Sequence, residues 1–463
     1  MTKLLKFGLG LVVFANSCFV VASTIVKPFP YDLLQSDTTI LLDADTTYTL
    51  EKPIEMPSRC TLKGQGDGLS KTKLIAGKDF VATYEPIHKL DLAFIMPVRQ
   101  AELKNITIEN LELDGSQDEL GIIAYSDFLK RINCGINTRG KTWVIGQPDL
   151  RDSVFIIKNC DIHDVNVQCI GISDCTEIQI LNSHLYNVGH PDFIFQGKTL
   201  SEWHLNNGGP AWYWNYMHGV YLTRCQHVFL TNCVFDTLEW GSGIDLTGCH
   251  NVTMSGCSFE NVKQSAFYLG GTGVYGNGGI PIECKDIDFN HFACENIGVV
   301  GMLNSGVNVY LKNGIANNCQ FAVSVNGSND IKIWDNTFTD IKQAFINHRH
   351  GNIFSIFRNN VLGIQSKVIW ERGGDYNLPP VLPSEKAYGI LIADSLFRFT
   401  SSGQAVFGLG HVGTDLSKFA PFNQARFANN RVENARSDFK LFNDEKILKD
   451  PRGDFKFDGN KIV

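Results

Sequence analysis

Gly219-Val220-Tyr221-Leu222-Thr223-Arg224-Cys225 returns 24 residues later as Gly243-Ile244-Asp245-Leu246-Thr247-Gly248-Cys249. The match continues beyond these segments: Val228, Asn232-Cys233 and Phe235 are answered at the same offset by Val252, Gly256-Cys257 and Phe259. Ser265-Ala266-Phe267-Tyr268-Leu269 carries the series on, and Cys169-Ile170-Gly171-Ile172-Ser173-Asp174-Cys175 precedes it. Segments 331–336 and 353–359 follow, ending in Asn336 and Asn359, 23 residues apart. Inside each unit apolar residues alternate with polar ones, as in Val228 and Leu230 or Val252 and Met254, which is the period of a half-buried strand. Gly, Asn, Asp and Ser punctuate the strands, helical spacing is not sustained, and the fixed Leu and Asn pattern of leucine-rich repeats is missing. A unit of two or three short strands cannot bury its apolar face alone; stacking units at about 4.8 Å does so. The expected fold is all-β, a single-stranded parallel β-helix of roughly 10–13 coils and about 50–60 Å in length.

The rest of the 463-residue chain fits one elongated repeat domain. Lys3 and Lys6, an apolar run from Phe7 and the small-residue pattern Val20-Val21-Ala22 read as a signal peptide over residues 1–22. The expected product is secreted or periplasmic, with a β-helix domain at 23–463, a loop insertion at 196–217 and an irregular part at 366–463, where the period fades. The formal charge of −7, with no basic block, argues against nucleic acid as a partner. No second hydrophobic stretch suggests a membrane span. Thirteen cysteines in an oxidising compartment permit disulfides, but Cys175, Cys225 and Cys249 fall in one column and Cys233 and Cys257 in another. Stacked at about 4.8 Å with parallel side-chain vectors, such cysteines favour reduced, core-filling ladders over bridges. Asn232, Asn336 and Asn359 are candidates for similar stacks or for ordinary turns.

Near the start, Ile40-Leu41-Leu42, Tyr48-Thr49-Leu50, Pro53-Ile54, Cys60-Thr61-Leu62-Lys63-Gly64-Gln65-Gly66 and Ile75 form a pattern. It resembles the opening coil of the pectate-lyase-like right-handed parallel β-helix superfamily of polysaccharide lyases, glycoside hydrolases and alginate epimerases. Together with the repeats over roughly 40–365, the resemblance implies a right-handed solenoid with capped ends, Tyr31–Gln35 forming a short capping helix. It also implies a polysaccharide or oligosaccharide partner held on one strand-lined face. The reaction signatures of that superfamily are incomplete here. Arg-x-Pro-x-x-Arg and the Asn-Thr-Asp and Asp-Asp pairs are missing, and His218-Gly219-Val220 resembles Gly-His-Gly only loosely. Tyr186 followed by Gly189-His190-Pro191-Asp192 has the His and Asp of the epimerase segment in swapped order.

With Val220 and Leu222 inward, Tyr221, Asp245 and Tyr268 point outward as a ladder, and His218 opens the same strand. These residue types suit proton transfer on a sugar ring. The expected catalytic set is His218, Tyr221, Asp245, Tyr268 and Asp192. The insertion carries Trp203, Trp212, Tyr213, Trp214 and Tyr216, aromatic faces that stack on sugars or, alternatively, bury themselves as a lid. Arg224, His190 and Glu239 complete the expected substrate-binding set. β-Elimination or C5 epimerisation of an acidic polysaccharide is the leading expectation. The alternatives are glycoside hydrolysis by Asp192 and Asp245, and a non-catalytic glycan-binding or adhesin rod. No cofactor is expected: zinc spacings are lacking, and the alternating Asp286 and Asp288 are a thin cue for calcium.

Overall fold

The structure is a computed structural model. It describes residues 25–66, 71–77, 80, 93–97, 105–115, 134–137, 151–165, 167–189, 194–195, 198–199, 217–239, 241–270, 283–304, 306–325, 328–348, 354–371, 388–400, 406–409, 422–434, 440–442 and 454–463.

Each turn of chain visits three faces. In one coil these are the strands Gln226–Thr231, Val234–Leu238 and Ser242–Thr247, here called the first, second and third faces. Among the described residues the strands of the three faces pair in parallel with their equivalents one coil away, and in the uninterrupted coils the register is the sequence period itself. Val220 lies opposite Ile244, Tyr221 opposite Asp245 and Leu222 opposite Leu246; Val228 lies opposite Val252 and Phe235 opposite Phe259. Among the described residues the first face holds 14 strands. In the strands Ala293–Leu303, Ile315–Val325 and Thr337–His348 the second and third faces run on without a break, which joins them into one bent sheet. The winding is that of a right-handed parallel β-helix, the hand that parallel crossovers strongly prefer.

The winding continues beyond Ser366, where the period of the sequence fades. Tyr388–Ala393, Phe422–Ala428 and Asp454–Asp458 pair in succession on the first face. The expected capping helix is a single 3-10 turn, Tyr31–Leu33, behind a strand, Ile25–Pro28, that pairs with Thr46–Thr49. Pairing with that extra strand protects this edge of the sheet.

The inward positions Val220, Leu222, Ile244, Leu246, Phe267 and Leu269 are fully buried. Phenylalanines stack along the axis: Phe235 on Phe259 at 4.7 Å, and Phe267 on Phe289 at 4.1 Å. Phe267 also meets Phe259 and Phe292 edge-on. This stack explains the glycine after His218. A Cβ on Gly219 would come within 2.7 Å of the Phe235 ring, and one on Gly243 within 2.5 Å of Phe259. The glycine of His218-Gly219-Val220 is therefore a packing requirement of the coil.

The cysteines Cys60, Cys160, Cys169, Cys175, Cys225, Cys233, Cys249, Cys257, Cys284, Cys294 and Cys319 are buried and free. Their thiols bond to carbonyls of the winding, as Cys225 to Ile172 O and Cys249 to Leu222 O. Burial pushes the Cys160 thiol up to about 11 and the Cys175 and Cys225 thiols well up, so they stay protonated and unreactive. The three asparagines singled out in the sequence fall in two distinct ladders. Asn232 belongs to a corner column of left-handed residues and donates to Asn182 Oδ1, as Asn182 does to Asn159 and Asn159 to Asn110. Asn336 and Asn359 lie inside, where Asn336 Nδ2 donates to Asn359 Oδ1 at 3.1 Å and to Leu311 O at 3.0 Å.

Candidate active site

The third face carries the outward column expected from the repeat. Tyr221 lies opposite Asp245, and Asp245 opposite Tyr268. The column extends in one direction to Gly171 and in the other through Met302, Ser324 and Asn347. Adjacent residues in it are about 4.8 Å apart, the interstrand spacing.

His218 joins this column through its side chain. Its ring stacks on Tyr221, with centroids 5.6 Å apart and planes within 15°. Nδ1 accepts the Ser242 backbone N–H at 3.1 Å, so the proton of the neutral imidazole sits on Nε2. Nε2 lies 3.2 Å from Asp245 Oδ2. Although they point away from the core of the coil, His218 is only 1% exposed and Asp245 2%. A carboxylate enclosed in this way requires a compensating partner, and the His218 ring, held by the Ser242 N–H of the next coil, lies within ion-pair distance of it. On the far side, Asn304 Nδ2 donates to Tyr268 Oη at 2.9 Å. Tyr221 and Tyr268 remain partly exposed.

The other expected site residues divide. Arg224 stands at the left-handed corner that ends the Tyr221 strand, and Asp174 binds it in a two-pronged pair at 2.5 and 2.7 Å. Its charge is paired within the winding. Glu239 sits partly exposed at the corner between the second and third faces, its N–H bonded to Val188 O. The insertion begins at the same corner, after the strand His184–Val188, and returns at His218. Asp192, His190, Trp203, Trp212, Tyr213, Trp214 and Tyr216 lie outside the described residues, as do residues 1–22, where a signal peptide is expected. Of the calcium cue, Asp286 accepts from Asn308 at a left-handed corner and Asp288 pairs with Lys312 at 2.8 Å.

A second polar column, missed in the sequence, runs along the second face. Asp114, His163, Tyr186, Asp236, Glu260 and Glu295 are successive partners. His163 stacks on Tyr186 at 4.5 Å, bonds to Asp164 and lies 3.3 Å from Glu112 Oε1. Burial pulls the His163 pKa down, but the bonds to Asp164 and Glu112 outweigh it and raise it to about 9. The His163 bond, helped against desolvation by Lys73, holds Glu112 at about 2. Glu112, Asp114 and His163 are the one grouping of metal-type donors among the described residues. Lys73 already spans both carboxylates, at 3.0 and 2.6 Å, and His163 is cationic, so the grouping is an ion-pair network.

This network sets a pH dependence. A histidine whose folded pKa is raised contributes stability fully below its unfolded value of 6.5 and loses it as pH rises through about 9. Glu112 contributes above its ordinary 4.5 and loses that contribution only as pH falls toward 2. The melting temperature of the wild type is therefore expected to decline between pH 6.5 and 9. In His163→Gln that decline flattens; an unchanged slope in the variant would remove His163 as its source.

The family model for the right-handed β-helix region matches residues 134–277 and 213–379, more than half of the chain. The chain belongs to this family of right-handed β-helix proteins. Among solved structures it is similar to the A-module of mannuronan C-5 epimerase AlgE6 from Azotobacter vinelandii. That match has 10% identity and a TM-score of 0.50, covering 92% of this chain and 91% of that one. It is also similar to the N-terminal fragment of the bacteriophage Phi29 gene product 12, with 12% identity and a TM-score of 0.53, covering 93% and 67% respectively. At these identities the likeness is one of fold. No curated protein matches the chain by sequence. No helix among the described residues is long and apolar enough to cross a membrane.

Proposed function

We propose that the chain is a polysaccharide-active enzyme that works on a uronate-containing glycan by removing the proton beside the sugar carboxylate. The observation that carries this reading is the Tyr221–Asp245–Tyr268 column with His218 Nε2 3.2 Å from Asp245. In β-elimination a base takes the C5 proton, the C4–O bond breaks, and the leaving oxygen takes a proton from an acid. In C5 epimerisation an acid on the opposite side of the ring returns a proton to C5. Both reactions need more than one proton carrier against a single sugar, and this column offers a carboxylate flanked by two phenols. We assign the contact with the sugar to Tyr221, Asp245 and Tyr268. His218 has one ring nitrogen on the Ser242 N–H and the other on Asp245, and so acts as a positioning residue. The same fold serves a mannuronan C-5 epimerase module, with which this reading is compatible.

The test is turnover of uronate-containing and neutral polysaccharides by the purified protein. Ultraviolet absorbance follows unsaturated products, a reducing-end assay follows cleavage, and proton NMR follows inversion at C5. Unsaturated or inverted uronates are the expected result. Reducing ends without absorbance would replace this reading with hydrolysis, and binding without turnover would replace it with a glycan-holding rod.

A further inference from the structure

Gln168 occupies the position one coil before His218, opposite it in register. It is only 1% exposed, yet neither Nε2 nor Oε1 has a hydrogen-bond partner among the described residues. Its amide lies on the outer side of the sheet, over Gly171: a Cβ there would fall 2.1 Å from Nε2 and 3.3 Å from Oε1. Gly171 is the partner of Tyr221, and the Gln168 amide takes the place that a side chain at 171 would occupy at the end of the Tyr221–Asp245–Tyr268 column. Beyond Tyr221 on the same strand, Thr223 Oγ1 is likewise buried with no partner among the described residues. An enclosed amide with both atoms unpaired costs about 1–3 kcal/mol for each group left unsatisfied. Folding alone does not account for its retention, because an apolar side chain of the same size would avoid that cost.

We propose that the Gln168 amide is a saccharide-binding group, holding two neighbouring ring hydroxyls in the subsite next to Tyr221. One hydroxyl donates to Oε1 and the other accepts from Nε2, the pairing that a side-by-side donor and acceptor offers to a vicinal diol. This deepens the proposed function and rests on it. The group contributes to binding and register of the chain; it takes no part in proton transfer.

The experiment measures equilibrium binding of uronate and neutral-hexose tetrasaccharides to Asp245→Asn protein, which holds substrate without consuming it. The comparison adds Gln168→Leu or Gln168→Glu to that background. The expected loss is about 10–100-fold in Kd for Gln168→Leu, the size of two hydrogen bonds, with a melting temperature equal to or above the parent's. Gln168→Glu, which loses the donor, is expected to weaken binding as well. A tetrasaccharide lacking one of the two hydroxyls should bind the Gln168→Leu protein as well as the intact sugar does. Equal affinity with and without Gln168 overturns this inference alone, as does a fall in melting temperature without a change in Kd. Failure of the Asp245→Asn protein to bind any of the sugars overturns the saccharide reading and this inference with it.

Discussion

Asp245→Asn is expected to lower kcat on uronate-containing polysaccharide by about 10³-fold, within the range for losing a positioned proton carrier. The substitution keeps the volume of the side chain and an oxygen beside His218 Nε2, so the fold should survive; circular dichroism and the melting transition check that it has. His218→Ala acts differently. The imidazole holds Asp245 from one side and is itself held by the Ser242 N–H, at 3.2 and 3.1 Å. Removing it frees the carboxylate to shift, and a displacement of an ångström in a catalytic group costs about 10²-fold. The loss should fall on kcat with KM little changed, since the ring makes no proposed contact with the sugar. Tyr221→Phe and Tyr268→Phe separate the remaining roles, the stronger loss marking the phenol that moves the proton. Near-wild-type rates in both Asp245→Asn and His218→Ala would remove this site from the reaction altogether.

The second large effect is on stability. Phe267 is fully buried and touches Phe259, Phe289 and Phe292, two of them edge-on and one stacked at 4.1 Å. Phe267→Ala is expected to cost about 3–5 kcal/mol, because parallel strands fixed above and below cannot collapse into the void. In a solenoid each coil leans only on its neighbours, so the loss is local before it is global. Hydrogen exchange should therefore accelerate first in the strands Ser258–Val262, Ser265–Gly270 and Ala293–Leu303. Uniform acceleration along the whole chain, or a cost below about 1 kcal/mol, would contradict the packing described. Phe267 is followed in the same strand by Tyr268, so the variant also shows how far the column depends on the core beneath it.

What the sequence determined by itself was the winding, its register and the column on the third face. In a parallel β-helix the neighbour across the sheet is the residue one period further along, so an uninterrupted repeat of 23 to 24 residues fixes both the fold and the partners of Tyr221, Asp245 and Tyr268. Strand alternation then decides which of them face outward. Where insertions interrupt the period, that arithmetic fails. The column from Asp114 through His163 and Tyr186 to Asp236 crosses such interruptions, and its members have no common spacing to reveal them. The tertiary structure also decided what the ends of long side chains do. It placed His218 between the Ser242 N–H and Asp245, spent Arg224 on Asp174, and laid the Gln168 amide over Gly171. These outcomes depend on rotamers and on backbone groups one coil away. A repeat specifies where a Cβ points; what the side chain beyond it reaches is settled only when the coils are stacked.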